Sequence, residues 1–138
     1  MRGLLLAAFL AALPVMATAE MTPEPVALLQ GLDKITARVS QFSAPVGTPV
    51  RFGNLSMRVR ACEKAAPEDP PESAAFLEIT SIRPGQDPVT EFSGWMFASS
   101  PALSALEHPV YDVNLLDCKA TSGSPRAASG SAVGKDAR

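Results

Sequence analysis

The stretch from Pro49 to Cys62, PVRFGNLSMRVRAC, leaves this chain few choices of fold. From Leu55 to Cys62 the side chains alternate strictly, with Leu55, Met57, Val59 and Ala61 on one face and Ser56, Arg58 and Arg60 on the other. A period of two belongs to a strand with one face buried and one face wet; the same residues on a helix would spread around its circumference. Just before this run, Gly53-Asn54 separates Val50-Arg51-Phe52 from Leu55. A Gly at the first central position suits a two-residue type II′ turn, so the stretch predicts a tight hairpin.

Further strands follow from the same reasoning. Ile35 to Gln41 alternates, and Ala75 to Thr80 lies between the Pro-rich loop APEDPPES and the turn Arg83-Pro84-Gly85. Thr90 to Phe97 and Tyr111 to Leu116 complete a set of about six. Helix is confined to short pieces. Pro101 to Glu107 reads as one, with Ser100 as its N-cap, Pro101 at the first helical position and Pro109 beyond its end. Ala27 to Leu32 reads as a single helical turn. The expected fold is mainly β: a compact single-domain β-sandwich or small β-barrel with one short helix.

The chain has 138 residues, and its ends look different from its middle. Residues 1–19, MRGLLLAAFLAALPVMATA, carry a positive charge at Arg2, an apolar run from Leu4 to Ala12, and Ala17-Thr18-Ala19 after Pro14. That is the layout of a cleaved secretory signal peptide, and the run is shorter than the roughly 20 residues a membrane-spanning helix needs. Cleavage would start the mature chain near Glu20 and leave no stable membrane anchor. No Cys stands at the cut to carry a lipid. Residues 20–34 read as a weak N-terminal leader and 35–118 as the β-rich domain. Residues 119–138, small and polar, read as a disordered tail that cannot bury enough apolar surface to offset its ordering entropy. Removing the signal leaves 11 basic against 14 acidic residues, a mild negative balance with no clustered basic surface. Nucleic acid is therefore excluded as a partner.

A folded unit of roughly 90 residues has a small core, and a cross-link would matter to it. Cys62 and Cys118 are the only cysteines. In an oxidising compartment they predict one disulfide, and in the entropic account closing that loop stabilises the fold by about 4 kcal/mol. The alternatives are a catalytic thiol and a metal site, but the pair lacks the C-x-x-C spacing of the first and the four ligands of the second. Cys118 shares its parity with Asp112 and Asn114, and Cys62 shares its parity with Arg58 and Arg60. The bridge is thus expected to join polar faces at the C-terminal ends of two strands running the same way, with Arg58 or Arg60 near Asp112.

Residues 93–112 hold the only Trp, His and Tyr of the chain. Trp95, Phe97, His108 and Tyr111 are the candidate ligand-binding or partner-binding residues, because aromatic side chains stack on flat apolar groups and are enriched at interfaces. The bland reading makes Trp95 and Tyr111 core or rim residues and has His108 satisfy loop backbone groups. A hydrolase would take Ser99 or Ser100 as nucleophile, His108 as base and Asp112 as its orienting group. No Gly-x-Ser-x-Gly elbow supports it, and sequence proximity is no argument for a triad. No catalytic residue is therefore assigned. A single His argues against a metalloenzyme, while Glu68, Asp69 and Glu72 sit in a Pro-stiffened loop without calcium-loop spacing. Neither a metal nor an organic cofactor is expected; no glycine loop is present to hold phosphates.

The series LQGLDK, VGTPVRFG, RACEK, PPESAAFLEI, FSGWMFASSPALSALEHPVYDV and LLDC resembles an uncharacterised family of small exported alphaproteobacterial proteins, a domain of unknown function, over about residues 28–118. That resemblance implies a periplasmic or secreted setting in a Gram-negative cell and supplies no activity. The family's pattern carries an aromatic where this chain has Asn114, which argues against building a site from aromatics around the last strand. The expected function is a non-catalytic interaction or structural module that binds another envelope protein. A small-ligand domain for a sugar or peptide, using the Trp95 to Tyr111 region, is the alternative, and a hydrolase the third. A buried Trp95 favours the first reading; a concave surface holding both Trp95 and Tyr111 favours the second. His108 within reach of Ser99 or Ser100 and of Asp112 favours the third.

Overall fold

The computed structural model describes residues 13–16 and 18–121. The signal peptide read over residues 1–19 and the tail read over 119–138 fall largely outside the described residues. Among the described residues, none forms a helix and nine strands are present: β1 (Met21–Pro23), β2 (Val26–Asp33), β3 (Arg38–Pro45), β4 (Val50–Phe52), β5 (Leu55–Ala65), β6 (Ser73–Ser81), β7 (Val89–Phe97), β8 (Leu106–Glu107) and β9 (Tyr111–Lys119). No described helix is long and apolar enough to cross a membrane.

Two antiparallel sheets face each other. The first has the order β1-β5-β6-β7, with β4 also paired to β5; the second has the order β3-β2-β9-β8. The predicted hairpin is present: Phe52 pairs with Leu55 across Gly53-Asn54, and Gly53 has φ 59°. Only glycine fits there, because an added Cβ would lie 2.4 Å from the Tyr111 ring. Leu55, Met57, Val59, Leu77, Ile79 and Met96 of the first sheet pack against Leu29, Val113 and Leu115 of the second, all at 0–1% exposure. Each such side chain contributes about 1.5–3 kcal/mol on burial.

Cys62 and Cys118 are bonded, and they lie 2% and 0% exposed inside the sandwich. Strict alternation predicts the polar faces for both cysteines; the structure puts them on the core faces. The cause is a β-bulge in each ladder. Between Val59 and Ala61 the β5–β6 register slips past Arg60, which turns Cys62 inward with Val59. Between Leu115 and Asp117 the β2–β9 register slips past Leu116, which turns Cys118 inward with Leu115. One extra residue per strand reverses the parity of everything after it. The bridge consequently joins facing sheets. Tyr111 lies against Gly53 and Phe52 at one end, and Cys118 is bonded to Cys62 at the other, so β5 and β9 run in the same direction. Arg60 pairs with Glu78 at 2.9 Å and Asp112 with Lys34 at 2.8 Å, so the expected Arg58 or Arg60 contact with Asp112 is not made.

Three segments differ from the sequence reading. The leader of residues 20–34 contains β1 and β2, and β2 lies between β3 and β9 with Ala27 and Leu29 fully buried. Its Ala27–Leu32 stretch is extended, not a helical turn. Prolines are tolerated around it because Pro23 lies in the edge strand β1 and Pro25 lies between strands. Second, the strand expected from Ile35 begins only at Arg38. Asp33 Oδ1 accepts the N–H groups of Ile35 and Thr36, which closes a turn that leaves Ile35 exposed. Third, Pro101 to Glu107 is not helical. Leu103 N–H reaches Ser100 O once, at 3.0 Å, and then Leu106 pairs with Val113 and is buried. Seven residues closed off by prolines are too few to sustain a helix against that pairing.

The disulfide joins the two sheets over a separation of 56 residues. Replacing both cysteines, Cys62→Ala with Cys118→Ala, is expected to lower the urea-unfolding free energy by about 4 kcal/mol at neutral pH. A loss below about 1 kcal/mol would show that packing alone holds the sheets together.

Candidate functional site

The four candidate residues fall into two groups in different parts of the molecule. Trp95 and Phe97 stand two apart on β7 and share its outer face, while Met96 between them enters the core. His108 and Tyr111 lie at the start of β9 and stack on each other with ring centroids 5.7 Å apart.

The second group closes one end of the sandwich. Tyr111 meets the edge of Phe52 at 5.4 Å, and Phe52 stacks on Phe42 at 5.6 Å, so the rings run from one sheet to the other. Phe52 also lies over Gly31, where a Cβ would come within 2.7 Å of the ring. His108 is 6% exposed; its Nδ1 accepts from Val110 N–H at 3.0 Å and its Nε2 stands 3.8 Å from Glu91 Oε1. A third bulge brings Glu91 there. The β6–β7 register slips between Ile79 and Thr80, leaving Glu91 as the extra residue, and its carboxylate accepts from the buried Ser81 hydroxyl at 2.7 Å. Lys34 Nζ completes the cluster, donating to His108 O at 2.7 Å and pairing with Asp112. These side chains join turns and strands of the fold, and Glu91 and Ser81 also border a small depression of about 160 Å³ beside Arg83 and Asp87.

The proposed Ser-His-Asp combination is not assembled. Ser99 bonds to Glu72, Asp112 pairs with Lys34, and His108 faces Glu91. Glu91 is the third residue of β7 and Ser99 lies beyond its end, so the strand from Glu91 to Phe97 alone separates them by roughly 20 Å.

The first group lies on an accessible surface. Trp95 is 39% exposed and makes an edge contact with Phe76, its cross-strand partner, at 5.6 Å between centroids. Register places Phe97 opposite Ala74, Ala74 opposite Glu63, and Pro23 of β1 beyond. The result is a shallow depression of about 460 Å³ lined by Met21, Glu63, Glu72, Ala74, Trp95 and Phe97. The sequence reading missed Met21, Phe76, Ala74 and Glu63 as members of this surface, because their contributions depend on pairing register between distant strands.

Glu72 also borders a second cleft of about 420 Å³, with Lys64, Pro71, Ser73, Ser99 and Asp117 in its wall. Burial pushes the Glu72 carboxyl up, but the Ser99 hydroxyl, the Ser99 N–H at 3.0 Å and the Ser73 N–H at 2.9 Å outweigh it and hold the group below the usual carboxylate range. The carboxylate thus fastens the Pro-rich loop to the turn after β7. Beside it the buried Ser73 hydroxyl donates to Asp117, which pairs with Lys64 at 3.0 Å. A depressed carboxyl pKa contributes stability that is fully present above the ordinary value of about 4.3 and is lost as pH falls through the lower folded value. Stability of the natural chain is therefore expected to decline with acid in that window. Glu72→Gln should flatten that part of the profile in urea titrations at stepped pH, and an unchanged profile would remove this role from Glu72.

The model of the family described as an uncharacterised protein conserved in bacteria, DUF2155, matches residues 27–118, from the start of β2 to the second cysteine. An uncharacterised protein of Rickettsia prowazekii, RP359, is 33% identical over 87 residues, covering 63% of this chain. The matched region spans 56% of that relative's length. No solved structure matches. The inter-sheet bridge and β7 lie within the matched region, β1 with Met21 lies before it, and the chain belongs to the DUF2155 family.

Proposed function

We propose that this chain is an exported, non-catalytic interaction module of the cell envelope that binds another envelope protein through the outer face around Trp95. The observation that carries the reading is the exposed Trp itself. Met96 supplies the core side of β7 at that point, so Trp95 is not needed for the core, yet it stands among Phe76, Phe97, Ala74 and Met21. Contiguous apolar surface on a small domain marks a contact site, and Trp is the side chain most often found carrying the energy of such contacts. Export rests on the signal layout of residues 1–19 and on an inter-sheet disulfide that persists only outside a reducing compartment.

Neither expected criterion for Trp95 is met in its original form. The side chain is not buried, and no concave surface joins it to Tyr111. The interaction reading is favoured because the face is broad and shallow, which suits a protein surface, whereas a sugar or other small ligand is usually enclosed by its pocket.

Crosslinking in the native envelope, followed by capture of this chain, is expected to recover a partner that is lost with Trp95→Ala and kept with Leu103→Ala, which alters an exposed loop side chain. The loss expected is at least about 2 kcal/mol of binding, roughly thirtyfold in affinity. A partner retained by a folded Trp95→Ala protein would overturn the assignment of the site to this face.

A further inference from the structure

β7 is the last strand of its sheet. Two backbone bonds reveal which way its peptide groups point: Ala98 N–H donates to Ser73 O at 2.9 Å, and Ala65 N–H donates to Glu72 O at 2.9 Å. Bonded and non-bonded pairs alternate along an antiparallel ladder. The bonded pairs of β7 with β6 are therefore Met96 with Ala75, Gly94 with Leu77 and Phe92 with Ile79. Ser93, Trp95 and Phe97 turn their N–H and C=O groups away from β6. The Phe97 carbonyl agrees, since it accepts from Ser100 N–H in the turn at 3.3 Å. Among the described residues, nothing bonds to the peptide groups of Ser93 or Trp95.

Edges of this kind are ordinarily blunted by Lys, by Pro or by a bulge. Val89–Phe97 contains no Lys, Arg or Pro, and its bulge at Glu91 leaves Phe92 to Phe97 regular. Trp95, with both its peptide groups free, and Phe97, with its N–H free, also supply the aromatic side chains of the outer face. Its charged members are Glu63 and Glu72, with no cation among the lining residues, and the donors that hold Glu72 are neutral.

We propose that β7 is a strand-addition site for an extended cationic segment of a partner protein. This deepens the interaction reading above and rests on it. The segment pairs with the peptide groups of Ser93 and Trp95 and with the Phe97 N–H and extends the sheet, so alternate side chains lie beside Trp95 and Phe97. An Arg at one of those positions stacks on Trp95 and reaches towards Glu72, which is held against Ser99 just beyond the end of β7. A second copy of this chain is the poorer occupant, because β7 itself carries no cation to meet the carboxylates of the face.

The test uses the full chain and a labelled, capped nonapeptide in which Arg alternates with Val and Ile, read by fluorescence anisotropy. The peptide is expected to bind. Glu in place of Arg, or methylation of the alternate set of peptide nitrogens that faces β7, is expected to weaken binding by at least about tenfold, while methylation of the other set leaves it unchanged. Ser93→Pro removes an N–H that has no partner in β6, so it keeps the ladder while blocking an added strand, and should weaken binding by the same factor. Loss with Trp95→Ala, but not with Ser93→Pro or either methylated peptide, would overturn strand addition and keep the face as the site. Loss with neither variant would overturn both readings. Equal binding of the Glu peptide would overturn the cationic assignment. A dimer of the chain that Ser93→Pro converts to monomer would give the edge to a second copy and overturn the proposal.

Discussion

Everything in this sandwich is arranged around the covalent link between its sheets. Cys62 and Cys118 meet in the core only because β5 and β9 each carry one extra residue before the cysteine. Without those bulges both thiols would lie on outer faces, with the width of the sandwich between them. The bulges also allow each strand to keep its apolar alternation up to the bulge and then deliver a cysteine where the pattern calls for a polar residue. The bridge is reinforced by its neighbours: Cys118 N–H lies 3.2 Å from the Ser73 hydroxyl, which in turn bonds to Asp117.

The third bulge serves a different end of the molecule. Glu91 turns inward to the buried Ser81, just as Asp117 serves the buried Ser73 at the other end of β6. Both hydroxyls would be costly to bury without an acceptor. Each end of the central strand is thus anchored by a serine and a carboxylate, and His108 and Tyr111 are drawn into the anchored end rather than into an open site. That leaves the outer face of β5, β6 and β7 as the surface where large aromatic side chains meet solvent.

The parts of the fold that were legible in the sequence are those fixed by local pattern. The Gly53-Asn54 hairpin, the alternation of Leu55 to Val59 and the pairing of the only two cysteines each follow from residues close together or from a count of one. Bulges carry no comparable signature, so the faces of both cysteines came out reversed. The segment from Val26 to Asp33 was misread because Val26-Ala27-Leu28-Leu29 is apolar on both parities and two prolines precede it; its strand character shows only in its pairing with the distant β9 as well as with β3. For the candidate site, the neighbourhood of Trp95 and Phe97 was legible from their spacing of two. Their separation from His108 and Tyr111 was not, since Trp95-Met96-Phe97 is a continuous apolar run that does not reveal which parity faces in. Phe76, Glu63 and Glu72 join the site through register alone.

The account of function depends on β7 being an open edge with Trp95 on its outward side. Amide hydrogen exchange, resolved residue by residue by NMR on the free protein, examines that edge directly. The N–H groups of Phe92, Gly94 and Met96 should exchange slowly, and those of Ser93, Trp95 and Phe97 should exchange close to the rate of an unbonded amide. Uniform protection along Phe92 to Phe97 would mean that the outer edge is already covered, and would contradict the account.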